Sequence, residues 1–234
     1  TGESPVLKKD EQKKLIELAV KKFKGKGLVI AGTGSNDTQK TIENSLQAAE
    51  LGADALLVVT PYYNKPSQAG LCAHFTAVAE ACSAPVVLYN VPGRTGISIQ
   101  PSTVALLAQH PRIVGIKEAS GNLSFFTEVR NAVKDKKNFS FLSGDDPTYW
   151  NFLASGGDGV ISVVSNIVPK TFVDLHMAWK NNQLDRGLEL FEELHAFMNA
   201  LFIESNPVPV KTVLSWLGLI EEKFRLPLVG MAPE

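Results

Sequence analysis

A chain of 234 residues, 44% hydrophobic and 20% charged, has an ordinary globular composition and is long enough for one α/β barrel or two small domains. A formal net charge of −1 without any cluster of Lys and Arg excludes the electrostatic footprint of a nucleic-acid binder. No apolar run approaches the roughly 20 residues that span a bilayer, and nothing at the N-terminus resembles a cleavable signal, so no membrane is expected and the expected location is cytoplasmic. Cys72 and Cys82 have the spacing of neither a metal site nor a redox pair and read as buried thiols.

The chain opens on "TGESPVLKKDEQ", a loop running into a helix with no strand before it, which reads as the middle of a domain. Strand and helix then alternate over short connections. "LVIAG" (Leu28 to Gly32) is an apolar strand, followed by an amphipathic helix with Ser35, Asn36 and Asp37 as polar cap residues. "DALLVVT" is a second strand before a helix through "SQAGLCAHFTAVAEAC". "APVVLYN" is a third, before a helix at "PSTVALLAQH" whose Pro101 suits a first turn. "RIVGIKE" is the fourth strand, followed by a helix at "LSFFTEVRNAVKD". "FSFLSG" and "GVISVVS" are the fifth and sixth, separated by a helix near "PTYWNFLAS". After Pro169 the chain reads as helical, with breaks near Asn181–Asn182 and at "NPVP".

Six apolar strands alternating with helices predict a parallel sheet, either doubly wound or curled into a barrel. "GTGSND" supplies only half of a dinucleotide fingerprint, and Gly32 and Gly34 read better as a tight strand-to-helix turn.

In a barrel the catalytic groups sit at the C-terminal strand ends. Those ends carry Thr60 to Asn64 with Tyr62 and Tyr63, then Tyr89–Asn90 with Arg94, then Lys117–Glu118, then Ser143 to Asp146, then Ile161–Ser162. A lysine at the dry end of a core strand loses pKa, and its neutral amine can form a Schiff base with a carbonyl substrate. A tyrosine beside it can move protons, and an arginine can hold a carboxylate at two points. Each residue also has a plainer reading: Lys117 reaching for solvent, the tyrosines as packing rings, Arg94 as a solvated loop residue. Their common edge of the sheet is what favours chemistry. His74, His110, His176 and His195 are dispersed, no zinc or serine-hydrolase motif occurs, and Asp145–Asp146 read as caps of the next helix.

The motifs "TGES", "VIAGTGSNDT", "VTPYYNKPSQ", "LYNVPGRTG", "GIKEASGNL", "LSGDD", "GGDGVISV", "NPVPVK" and "FRLPL" occur in order over nearly the whole chain. With them the sequence resembles the dihydrodipicolinate synthase family, also called 4-hydroxy-tetrahydrodipicolinate synthases, of the pyruvate-dependent class I aldolases. The resemblance implies a TIM (β/α)8 barrel over 1–168, lacking its first elements, and a last barrel helix with a C-terminal helical region over 169–234. It implies a homotetramer built as a dimer of dimers, with no cofactor and no metal. The substrates implied are pyruvate and L-aspartate 4-semialdehyde, in the first committed step towards diaminopimelate and lysine.

Position by position, it implies that Lys117 forms the Schiff base, that Tyr89 is the general acid and base, and that Thr1 and Tyr63 join Tyr89 in a proton relay. Tyr63 is expected to reach a neighbouring subunit. Arg94 is implied to bind the carboxylate of the semialdehyde, and Gly144 and Ile161 to shape the pyruvate pocket through their backbones. Ser4, Asn36 and Tyr62 match the site where lysine inhibits sensitive members. Lys9, Gln12 and Lys40 stand where those members carry histidines and a glutamate. Weak feedback is therefore expected.

Against the family pattern, the chain lacks a strand, helix and strand before "TGES", the threonine before Thr1, and much of a final helix. Two other readings follow. One is a different 2-keto-acid aldolase, such as an N-acetylneuraminate lyase, disfavoured by the Arg94 loop. The other is a barrel segment that binds or assembles without catalysis.

Overall fold

The computed structural model describes residues 1–232. A 3-10 turn, Ser4–Val6, leads into α1 (Lys9–Phe23). The strands are β1 (Ile30–Gly32), β2 (Ala55–Val59), β3 (Val86–Asn90), β4 (Ile113–Glu118), β5 (Ser140–Ser143) and β6 (Gly159–Val160). Between them lie α2 (Thr38–Glu50), α3 (Gln68–Ala81), the short turn α4 (Pro92–Thr95), α5 (Pro101–Leu107), α6 (Leu123–Ala132) and α7 (Tyr149–Ala154). Three further helices follow: α8 (Pro169–Lys180), α9 (Leu184–Ala200) and α10 (Val208–Trp216).

The strands pair in the order β1-β2-β3-β4-β5-β6, all parallel, each beside its predecessor in the chain. A doubly wound sheet reverses its order at a switch point; this sheet does not. It is a curled arc of a TIM barrel with helices outside. Its helix starts are read from local chemistry. Asp37 accepts the Lys40 N–H at 2.9 Å and Asn122 accepts that of Phe125 at 3.0 Å, while Pro101 and Pro169 occupy first turns where no N–H is needed.

Between strands and helices lies one core, with Leu56, Val58, Phe75, Leu88, Ile116 and Phe126 at most 1% exposed. A second cluster joins Tyr149, Leu153, Val163 and Val164 to Phe172, Leu175 and Phe191 on α8 and α9. The barrel's last loops and the C-terminal helices thus share a single apolar interior.

Every strand is shorter than the sequence predicts, and the first and the sixth show why. The first begins at Ile30, because Leu28 is left outside the pairing and 78% exposed. The sixth, expected over 159–165, pairs only through Gly159–Val160, with one more bond from Ile161 N–H to the Ser143 carbonyl at 2.9 Å. Beyond that, the Val163 and Val164 N–H groups turn to the Asp146 carboxylate, and a 3-10 turn follows at Val164–Asn166.

At the C-terminal end of the sheet, the period of two separates roles. Tyr89 and Lys117 are register partners on one face; Asn90 and Glu118 are partners on the other. Asn90 is fully buried. Its Nδ2 donates to Glu118 Oε2 at 2.7 Å, and its Oδ1 accepts the Ile99 N–H at 3.0 Å. Glu118 Oε1 accepts the Ser120 N–H at 2.6 Å, so both its oxygens are held while burial raises its pKa. Asn90→Ala should cost about 3 kcal/mol or more, because it leaves a buried carboxylate oxygen and a backbone N–H unpaired. Urea unfolding measures this; a loss below about 1 kcal/mol would mean that water or repacking restores the lost bonds.

Candidate active site

The sheet's inner face carries the predicted lysine at its centre. Lys117 belongs to β4, and its Nζ lies 4.3 Å from the centroid of the Tyr89 ring, its register partner on β3. Burial holds the amine below the ordinary lysine range, at about 8; the Asp146 charge opposes that shift and the Arg94 charge adds to it. Tyr89 is half-buried, and burial raises its phenol pKa while Arg94 pulls it down. An amine near neutrality beside a protonated phenol is suited to nucleophilic attack with local proton transfer.

Gly144 follows β5 where Lys117 needs room. A Cβ there would lie 2.7 Å from Lys117 Cε and 2.5 Å from the Ala119 Cβ. Glycine is required by this close approach, and the lysine stem rests on its backbone. Ile161 sits one strand further on, held by its N–H bond to Ser143.

Arg94 lies on α4, exposed at the rim, and donates from Nη2 to the Asn206 carbonyl at 2.8 Å. The Asn206 side chain donates from Nδ2 to Thr1 Oγ1 at 3.0 Å, and its Oδ1 is buried with no partner among the described residues. Asn206 therefore ties together two predicted site residues that stand far apart in the chain. A cavity of about 300 Å³ opens beside Thr1, lined by Glu3, Asn166 and Lys211 among others. The Lys211 ammonium pairs with Glu3.

Tyr63 is placed differently. Its backbone takes φ 73°, a left-handed conformation uncommon outside glycine, and its side chain is 89% exposed on the outer surface of the loop after β2. Within the chain it makes no hydrogen bond to Tyr89 or Thr1 among the described residues. The three positions matched to the effector site make their own local contacts. The Ser4 carbonyl accepts from Gln12 Nε2 at 3.1 Å, the Asn36 carbonyl accepts from Asn64 Nδ2 at 2.7 Å, and Tyr62 is half-buried beside Asn64. Lys9 faces Glu43 at 3.7 Å, and Lys40 is exposed on the first turn of α2.

Two residues gain roles that sequence reasoning did not give them. Asp146 is not a helix cap. It is 1% exposed, and its Oδ2 accepts the N–H groups of Val163 and Val164 at 2.8 and 2.9 Å. Asp145, its neighbour, accepts from the Thr148 hydroxyl at 2.6 Å rather than from a helix N–H. Asn206 lies in the quoted "NPVPVK" motif, but only the folded chain shows what it touches.

The chain matches the Dihydrodipicolinate synthetase family over residues 1–234. It is 49% identical over 232 residues to the 4-hydroxy-tetrahydrodipicolinate synthase of Thermodesulfovibrio yellowstonii, covering 99% of this chain and 79% of that protein. Among solved structures it is similar to the dihydrodipicolinate synthase of Thermotoga maritima, with TM-score 0.97 and 43% identity over 99% of this chain and 79% of that one. It is also similar to that of Acinetobacter baumannii, a structure complexed with pyruvate, with TM-score 0.95 and 41% identity over 99% and 79% of the two chains. A parallel barrel arc with a desolvated lysine against a tyrosine, matched by relatives along its whole length, leads to one conclusion: the chain belongs to the dihydrodipicolinate synthetase family.

Proposed function

We propose that the chain is a lyase of diaminopimelate and lysine biosynthesis that condenses pyruvate with L-aspartate 4-semialdehyde to 4-hydroxy-tetrahydrodipicolinate. Relatives of that name, nearly half identical over almost the whole chain, support the reaction. The observation that carries the residue assignment is the Lys117 amine, held near pKa 8 and set over the Tyr89 ring.

The chemistry follows from the groups present. The neutral Lys117 amine attacks the ketone carbon of pyruvate; Tyr89 supplies a proton to the departing hydroxyl, and water leaves from the carbinolamine. Loss of a methyl proton from the resulting iminium gives an enamine. The enamine carbon attacks the aldehyde of the second substrate, whose own amine then displaces Lys117 by cyclising. Arg94, anchored by Asn206, offers its remaining N–H groups to the semialdehyde carboxylate. Gly144 and Ile161 shape the pyruvate pocket through their backbones. Thr1 and Tyr63 complete a relay with Tyr89, and the exposure of Tyr63 on this chain suits a tyrosine that serves the neighbouring subunit of a dimer of dimers. No helix among the described residues is long and apolar enough to cross a membrane, and a cytoplasmic location goes with the reaction.

Reduction with cyanoborohydride in the presence of pyruvate should add the mass of a reduced pyruvate adduct to the peptide containing Lys117, and Lys117→Ala should abolish it. The amine-dependent acid limb of that labelling should have its midpoint near pH 8, since the cation below it is unreactive. Labelling of another lysine overturns the assignment.

Gly144→Ala should lower kcat/KM by at least about tenfold while the protein stays folded, because the added methyl displaces the Lys117 stem. Steady-state kinetics with circular dichroism measures this; near-normal kcat/KM would show that the stem has room to spare.

Feedback is expected to be weak. Lys40 places a cation where an effector's ammonium would need a carboxylate, and Lys9 already faces Glu43. L-lysine at ~1 mM should leave the rate within about twofold of its uninhibited value. Strong sub-millimolar inhibition would show that these side chains swing clear of the site.

A further inference from the structure

The Asp146 carboxylate is an unusual group to bury. Oδ2 is saturated by two successive backbone N–H groups, yet Oδ1 has no well-formed hydrogen bond among the described residues, with only the Ser162 hydroxyl near the carboxylate. An acceptor left unpaired in a dry interior costs about 1–3 kcal/mol, so its retention calls for a reason. Helix capping is not that reason, and the N–H pair alone would be served by a neutral amide.

Position supplies one. Asp146 stands two residues after Gly144, the glycine against which the Lys117 stem packs, and its N–H partners stand two and three residues after Ile161. It therefore clamps together the loops after β5 and β6, which flank the lysine on one side. On the other side stand Tyr89 from β3 and Arg94 from α4. Of the charged groups acting on Lys117, Asp146 is the anion and Arg94 the cation. Asp145 also acts on Asp146, as a like charge, but its own carboxylate is engaged by Thr148.

We propose that Asp146 is a positioning residue of the reaction, whose carboxylate clamps the 161–164 segment and serves as the fixed counter-charge for the cationic imine formed on Lys117. The inference rests on Lys117 as the Schiff-base residue. A neutral amine becomes a cation when the imine forms, and in a desolvated pocket a nearby carboxylate favours the charged form. Its charge disfavours the free amine before attack and favours the iminium after it. Burial lifts the Asp146 pKa, against the Val164 N–H, the nearby Ser162 hydroxyl and the Val163 N–H; the two backbone bonds keep the group an acceptor.

The test is the pH profile of pyruvate trapping at Lys117 by cyanoborohydride, read by peptide mass, in the unaltered protein, in Asp146→Asn and in Asp145→Asn. The asparagine at 146 keeps an acceptor for Val163 and Val164 but removes the charge. Trapping needs free amine on its acid limb and protonated imine on its alkaline limb. Both limbs should therefore move to lower pH in Asp146→Asn, by about half a unit or more, and kcat should fall more than KM changes. Asp145→Asn should leave the profile in place. If the unaltered protein is not labelled at Lys117, the Schiff-base reading fails. If it is labelled but the folded Asp146→Asn protein shows an unmoved profile, or Asp145→Asn moves it equally, the counter-charge role is overturned. Asp146→Ser is the second variant; failure of both to fold assigns Asp146 to structure alone and overturns the proposal as well.

Discussion

The in-register parallel pairing of β3 with β4 is the constraint from which the site follows. Pairing Tyr89 with Lys117 and Asn90 with Glu118 makes one rung of the sheet serve two purposes. On the inner face it sets an aromatic ring and an amine against each other; on the outer face it closes a buried amide–carboxylate bond. Because side chains alternate with a period of two, a slip of one residue would exchange these faces, moving the lysine into the helix layer and the glutamate into the pocket. The Asn90–Glu118 bond penalises that slip: neither group could leave it without burying an unpaired polar atom.

Around this rung, distant parts of the chain are drawn to the same end of the sheet. Arg94 after β3 and Thr1 at the other side meet through Asn206, on the approach to α10. The first residues are fastened to α10 and to the non-helical segment after it as well. Arg225 forms a two-point pair with Glu11 at 2.8 and 2.9 Å and donates its N–H to Glu3, which also pairs with Lys211. Arg225 holds the Glu11 carboxyl below the ordinary carboxylate range, at about 2. Bidentate guanidinium contacts fix orientation as well as distance, which suits a segment that carries the proposed relay residue Thr1.

Much of this was legible in the sequence because it rests on local rules. The strands declare themselves by β-branched runs, the helices by caps such as Asp37 and Asn122, and Lys117 by a charge at the dry end of an apolar run. Less legible were features set by contacts between distant segments. The end of β6 is decided by Asp146, whose carboxylate takes the N–H groups that a longer strand would give to its neighbour. Read locally, an Asp–Asp pair after a strand resembles a cap, since nothing nearby reveals a buried acceptor aimed at residues seventeen and eighteen positions away. Asn206 was hidden for the same reason. Tyr63 shows the converse: its residue type suggests chemistry, but its left-handed backbone and its exposure are properties of the folded loop.

On the proposed Schiff-base reading, the pocket's charges let Lys117 serve both as nucleophile and as electron sink. Before substrate arrives, burial lowers the Lys117 amine to a pKa of about 8, with Asp146 opposing that shift and Arg94 adding to it. The carboxylate that enters with a 2-keto acid then offsets part of the Arg94 charge. On that reading the balance shifts towards the cation as the amine becomes an iminium. A stronger anion beside Lys117 would hold the amine protonated and stop the first step; with none, the iminium that draws electrons from the methyl carbon would be disfavoured. A single carboxylate, tethered by two backbone N–H groups and opposed by one arginine, lies between these limits. Gly144 belongs to the same account, because a side chain there would collide with the lysine stem and with Ala119.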